Sequence, residues 1–211
     1  MSGTPASNPA VPEAQEEPQK RSKLVDAIIE IATTVGLAVV LYLIITTFVV
    51  QTFRVEQRSM IDTLQPQEHL LIDKLTPRFD DYSRADIIVF HPNGDTDKTP
   101  FIKRVIGVGG ERVEIAQGSV WIDGVRLDEA YTYLGEPTEP SGFGGQSAWV
   151  VPEGSLFVMG DHRQGSKDSR SDDVGMVEVD DVIGRAWLRF FPLDTLGILQ
   201  TPEYPELPSV E

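Results

Sequence analysis

The chain has 211 residues, no cysteine and a formal net charge of -15. That length suits one domain with an appendage. The missing thiols exclude a disulfide scaffold, a cysteine nucleophile and a Cys-ligated zinc site. The acidity argues against a nucleic-acid surface, which needs a basic patch, and the scattered His69, His91 and His162 show no metal-ligand spacing.

Residues Met1 to Lys20 are rich in Pro, Glu, Ala, Ser and Gln and carry almost no large apolar side chain. Such a segment buries too little surface to offset chain entropy, so a disordered tail is expected over 1–23. Lys20, Arg21 and Lys23 then precede Ile31 to Phe53, a run without one charged residue. About twenty uncharged, mostly apolar residues suffice to cross the hydrocarbon core as a helix. A transmembrane anchor is expected over 24–53, with Asp26 and Glu30 at its start. A buried core helix is the competing reading, but cores rarely need one that is apolar on every face. Basic residues stay on the cytoplasmic side, which puts the N-terminus inside and the remainder outside. The run is long for a cleaved secretory signal, and the bulky Val49-Val50-Gln51-Thr52-Phe53 stands where a small-x-small site would be.

Past Phe53 the pattern changes to short β-prone runs: His69–Asp73, Asp86–Phe90, Phe101–Ile106, Arg112–Ile115, Ser119–Ile122 and Leu156–Met159. Gly, Pro, Asn and Asp punctuate them. Asp123-Gly124 between Ile122 and Val125 is a hairpin signal. No helical periodicity is sustained, so the expected fold is mostly β, with antiparallel sheets in a domain over 54–200 behind the anchor. Gly135 to Ser147 is expected as a surface loop. Val182 to Leu199 is expected as one or two closing strands, with Trp187, Phe190 and Phe191 in the core first and membrane contacts second. A loose end is expected over 201–211, and Trp149 or Phe143 is a candidate for an apolar rim touching the bilayer.

Three stretches can carry chemistry. Gln57-Arg58-Ser59-Met60 offers a hydroxyl nucleophile just past the apolar run. Lys103 lies in a strand-like run and shares a face with Phe101 and Val105 if the strand alternates. A desolvated lysine loses its proton nearer working pH and becomes a competent base; an outward-facing edge lysine is the bland reading. His162, in Gly160-Asp161-His162-Arg163, is the candidate for a Ser-His arrangement instead. In the same loop Asp168 and Arg170 are spaced to pair, and Ser166 could accept a hydrogen bond from a lysine ammonium.

Taken together, these blocks resemble type I signal peptidase, a membrane-anchored serine protease family. Ser59-Met60-Ile61-Asp62-Thr63-Leu64 matches the family's Ser-Met-x-Pro-Thr-Leu. Arg84 through Phe90 matches Arg-Gly-Asp-Ile-Val-x-Phe. Lys103 through Glu111 matches Lys-Arg-x-x-Gly-x-x-Gly-Asp, and Gly160 through Arg170 matches Gly-Asp-Asn-x-x-x-Ser-x-Asp-Ser-Arg. Four blocks in order behind the right kind of anchor make a specific signal. The resemblance implies Ser59 as nucleophile and Lys103 as its base. It implies Ser166 as the residue orienting the amine, Asp168 and Arg170 as a structural ion pair, and Asp161 as support. Phe53, Val55, Met60 and Ile102 match positions that shape shallow apolar substrate pockets suited to Ala-x-Ala before the cut. Neither a metal nor a cofactor is implied. The implied partners are signal peptides of secreted preproteins and the lipid bilayer, with no nucleic acid. The implied location is a single-pass cell-membrane protein with its catalytic domain outside.

This chain departs from the pattern around the nucleophile. Glu56-Gln57-Arg58 replaces Pro-Ser-x or Glu-Gly-x, Asp62 replaces Pro and His162 replaces Asn. Where many members supply a second oxyanion donor from a serine hydroxyl, Gln57 stands, and its amide is the candidate donor. Two other classes remain open at this point. One is a catalytically quiet, membrane-anchored relative that binds exported proteins. The other is a self-cleaving Ser/Lys regulator, which would be soluble and carry a DNA-binding module.

Overall fold

The computed structural model describes residues 23–140 and 145–204. All but the last residue of the disordered tail expected over 1–23, the candidate rim residue Phe143 and the last seven positions of the expected loose end lie outside them; Lys23, the last residue of that tail, is helical instead. Two compact units divide the chain, Met1–Tyr42 and Leu43–Glu211.

Helix α1 spans Lys23–Ile44 and buries none of its side chains. A π-helical turn, Ile45–Val49, extends it. The resulting span of 27 residues, Lys23–Val49, is long and apolar enough to cross a membrane. Its length of about 40 Å exceeds the roughly 30 Å of a hydrocarbon core. The apolar run does not stay helical to Phe53. Val50–Arg54 is strand β1, paired antiparallel with β2 (His69–Asp73) from Val50↔Asp73 to Arg54↔His69. Hydropathy alone does not separate an apolar helix from an apolar strand. Here β-branched and aromatic residues at 49–53 favour the extended form, and β2 supplies the ladder.

Ten further strands follow: β3 (Ile87–Phe90), β4 (Phe101–Gly107), β5 (Arg112–Ala116), β6 (Ser119–Ile122), β7 (Val125–Arg126), β8 (Ala148–Val150), β9 (Ser155–Met159), β10 (Val177–Glu178), β11 (Val182–Phe191) and β12 (Gly197–Ile198). The large sheet runs β1-β2-β11-β3-β4-β9-β10 with β12 on β11; the small one runs β7-β6-β5-β8. Every pairing is antiparallel. The expected Asp123-Gly124 hairpin is present: Ile122 faces Val125, and both turn residues take positive φ (49° and 84°), the primed geometry that suits strand twist.

Strand β4 lies between β3 and β9, and every residue from Ile102 to Gly107 is buried. Its central place decides the site, because it carries Lys103 and Arg104 into the interior. The closing block is two strands, as expected, but Trp187 (39% exposed) and Phe191 (49%) lie at the surface. The register of β11 on β2 slips between Ala186 and Leu188 and again between Arg189 and Phe191. Each slip redirects the side chains that follow. Trp149 does the reverse: it is buried against Phe157, with ring centroids 5.0 Å apart, and so forms no rim.

Candidate active site

Ser59 sits in the connection between β1 and β2. Val55 N–H donates to Glu68 O (2.9 Å) and Gln67 N–H to Val55 O (2.7 Å), closing the base of this loop. Leu64 N–H donates to Met60 O (2.8 Å) within it. Met60 and Leu64 are fully buried in the cluster that holds Leu70, Ile72 and Val89. The serine is therefore flanked by an anchor on its C-terminal side and is itself 4% exposed.

Lys103 meets it from β4. Its Nζ donates to Ser59 Oγ (2.7 Å) and to Ile102 O (2.9 Å), with no exposed surface. The Phe101 ring centroid is 5.1 Å from Nζ, as the strand alternation predicts. Burial pulls the Lys103 ammonium down to about 8; Asp168 first and Asp161 second pull the other way. Desolvation wins because, among the described residues, the amine bonds to a hydroxyl and a carbonyl and to no carboxylate. A hydroxyl held against a dry, easily neutralised amine is one arrangement able to support nucleophilic acyl transfer.

The third part is the turn after β9. Asp161 is chelated by Arg104, Nε to Oδ1 at 2.9 Å and Nη2 to Oδ2 at 2.7 Å, and accepts from Thr63 Oγ1 at 2.5 Å. It therefore ties β4 to the serine loop. Asp168 and Arg170 make the expected pair, Nε to Oδ1 at 2.8 Å and Nη2 to Oδ2 at 2.9 Å, and Asp168 Oδ2 also accepts the Gly160 N–H (3.0 Å). His162 N–H donates to Ser59 O (3.0 Å). The His162 ring lies against Tyr133, and the Ser59 hydroxyl is bonded to Lys103, not to this imidazole. Ser166 is brought in, with its Oγ against Gly160, but that buried oxygen has no hydrogen-bond partner among the described residues.

A cleft of about 230 Å³ is lined by Phe53, Glu56, Gln57, Thr99, Pro100 and Ile102 among others, which include chain neighbours of Ser59 and Lys103 but neither residue itself. Of the four residues the resemblance gives to substrate pockets, Phe53 and Ile102 line this cleft, together with Gln57. Val55 and Met60 are not among its walls. Both are fully buried in the core, where they hold the loop. The sequence also left several supports unseen. Arg163 is buried against Glu129 and Thr138, and Ser169 exchanges hydrogen bonds with Val158 of β9. Arg104 stood in a quoted block without a role. The one available signal was a cluster of charges next to β-runs, which a solvated loop shows equally well.

The antiparallel scaffold holds a buried hydroxyl–amine pair, and similarity to known proteins gives the class. The family described as signal peptidase, peptidase S26, matches residues 28–191. A signal peptidase I of Leptolyngbya laminosa is 38% identical over 95% of this chain and 96% of its own. A probable signal peptidase I-2 of Synechocystis sp. is 36% identical over 81% and 77%. Signal peptidase I T of Bacillus subtilis is 32% identical over 82% and 91%. A solved signal peptidase I of Enterococcus faecalis V583 is 34% identical, covers 50% of this chain and 97% of that chain, and superposes with a TM-score of 0.40. The chain belongs to the S26 family of signal peptidases and is a hydrolase of that class.

Proposed function

We propose that this chain removes signal peptides from exported preproteins, cutting after a small-x-small motif, with Ser59 as nucleophile and Lys103 as general base. The observation that carries this reading is the 2.7 Å contact between Lys103 Nζ and Ser59 Oγ in a buried site. Neutral Lys103 takes the hydroxyl proton as Ser59 Oγ attacks the scissile carbonyl. The ammonium so formed returns the proton to the leaving amine, and water then hydrolyses the acyl-serine. The buried Ser166 oxygen is the proposed acceptor for one of the other N–H groups of Lys103, orienting the amine so that its lone pair faces Ser59. The Ser59 backbone N–H and the Gln57 amide are the proposed oxyanion donors.

The walls of the cleft support an apolar preference: Phe53, Pro100 and Ile102 line it. The run Lys23–Val49 is proposed as the membrane anchor, with the basic residues Lys20, Arg21 and Lys23 on the cytoplasmic side and the catalytic domain outside. A preprotein series that varies the two residues facing the cleft tests the preference. Alanine at both positions should be cut, and phenylalanine at either should slow cleavage by about 100-fold or more. Equal rates across the series would overturn the small-x-small reading.

A further inference from the structure

The end of the chain was expected to be loose, yet Tyr204 is lodged in the domain. The approach is fixed by Leu199, whose N–H donates to Trp187 O (2.8 Å). The Tyr204 ring packs on the core cluster under the small sheet, and its hydroxyl lies 2.9 Å from Tyr131 Oη. Tyr131 Oη donates to Glu129 Oε1 (2.9 Å). A phenol has one hydrogen, so Tyr204 is the donor between the two tyrosines. Burial pushes the Tyr204 phenol up to about 12 and Tyr131 well above its ordinary range, so both stay neutral and the direction of donation holds.

Two clamps start from Tyr131. On its hydroxyl side, Glu129 grips the Arg163 guanidinium at 2.6 and 2.9 Å, and Arg163 Nε donates to Gly160 O (3.0 Å). On its ring face, the Arg104 guanidinium lies 4.1 Å from the centroid, and Arg104 chelates Asp161. Both clamps end on the 160–163 turn. That turn donates from His162 N–H to Ser59 O, and its Gly160 packs against the same carbonyl.

We propose that Tyr204 is a positioning residue for the Ser59–Lys103 pair: the C-terminal segment is a strap whose phenol holds Tyr131, and Tyr131 fixes both clamps beneath the 160–163 turn. The inference rests on the reading of Ser59 and Lys103 as the reacting pair. None of these residues lines the cleft at Phe53 and Ile102, so the strap acts on the chemical step and not on substrate binding. Without it, water reaches Tyr131 and Arg104 and the chelation of Asp161 loosens. The less compensated carboxylate then favours the Lys103 ammonium, which Asp161 already stabilises.

The test compares the full-length chain with Tyr204→Ala and Tyr204→Phe in detergent micelles, on an Ala-x-Ala preprotein. Tyr204→Ala should lower kcat by about tenfold while KM stays within about twofold. It should also move the acidic limb of the kcat profile up by about half a pH unit. Amide exchange of the 158–164 segment should speed up by about tenfold, with β2 unchanged. Tyr204→Phe keeps the packing and loses the donor, so it should shift the limb in the same direction by less, and it decides the matter if Tyr204→Ala does not fold. A kcat that falls with no movement of the limb would reduce the strap to bulk stability and overturn the proposal. So would kcat, limb and exchange all within about twofold of the parent. If the parent itself cuts nothing, the reading of Ser59 and Lys103 fails, and the exchange measurement still decides whether Tyr204 holds the turn.

Discussion

Lys103 Nζ and Ser59 Oγ meet at 2.7 Å with neither residue reaching solvent to any extent that would let water replace the contact. The lysine titrates near 8 because burial outweighs the pull of Asp168 and Asp161. A base must be neutral, so the acidic limb of kcat/KM should follow Lys103 and rise through about 8. A limb near 6 would point to an imidazole or carboxyl instead.

The same lysine sets a stability trend. Its folded value, about 8, lies below the 10.5 of a free lysine. Between the two, the unfolded chain holds the proton and the folded chain does not, so stability rises with pH across that window. Below about 8 both states are protonated and the penalty is constant. Denaturant unfolding of the parent should show this rise from pH 8 to 10, and Lys103→Met should lack it.

Gly160 has no room for a side chain. A Cβ there would meet Ser166 Oγ and, at 2.5 Å, the Ser59 carbonyl oxygen. One neighbour is backbone and cannot rotate away. Gly160→Ala should cost about 1–3 kcal/mol in denaturant unfolding and should displace Ser59 enough to lower kcat by about 100-fold. Near-parental activity would mean that the serine loop is softer than its packing implies.

The Asp168–Arg170 pair is buried on both sides, with side chains 1% and 5% exposed. Arg170→Met leaves a carboxylate inside the protein without its cation, a loss of about 3–5 kcal/mol. Adding Asp168→Asn should recover part of that loss, because the stranded charge goes with it. Strict additivity in the double-variant cycle would contradict the pairing.

Gln57 lines the cleft two positions before Ser59. If its amide is the second oxyanion donor, Gln57→Ala should lower kcat by about 100-fold with little change in KM, whereas a loss under about threefold would remove it from the mechanism.

Much of this was legible from local pattern. The Asp123-Gly124 turn, the strand runs and the existence of an apolar α1 follow from turn chemistry, residue type and hydropathy within contiguous stretches. The placement of Lys103 on the Phe101 face follows from strand alternation alone. What escaped the sequence depends on distant partners. Val50 to Phe53 is apolar enough for a membrane and became a strand because β2 lies beside it. Trp187 and Phe191 turn outward through two slips in register that no single-strand pattern records. Val55 and Met60 became core because the serine loop folds back over Leu70 and Ile72. The Tyr204–Tyr131–Glu129–Arg163 chain joins positions more than 70 residues apart (Tyr131 to Tyr204 alone is 73), and its members look like ordinary surface polar residues in the sequence.

The most direct test is cleavage of an Ala-x-Ala preprotein by the full-length chain in lipid, beside Ser59→Ala and Lys103→Ala, with tryptophan fluorescence confirming that all three are folded. The parent should cut, and each variant should lose about 10⁴-fold or more in kcat, since neither half of the pair works alone. If either folded variant kept more than about a tenth of the parent rate, the Ser59–Lys103 pair would not be the catalytic centre.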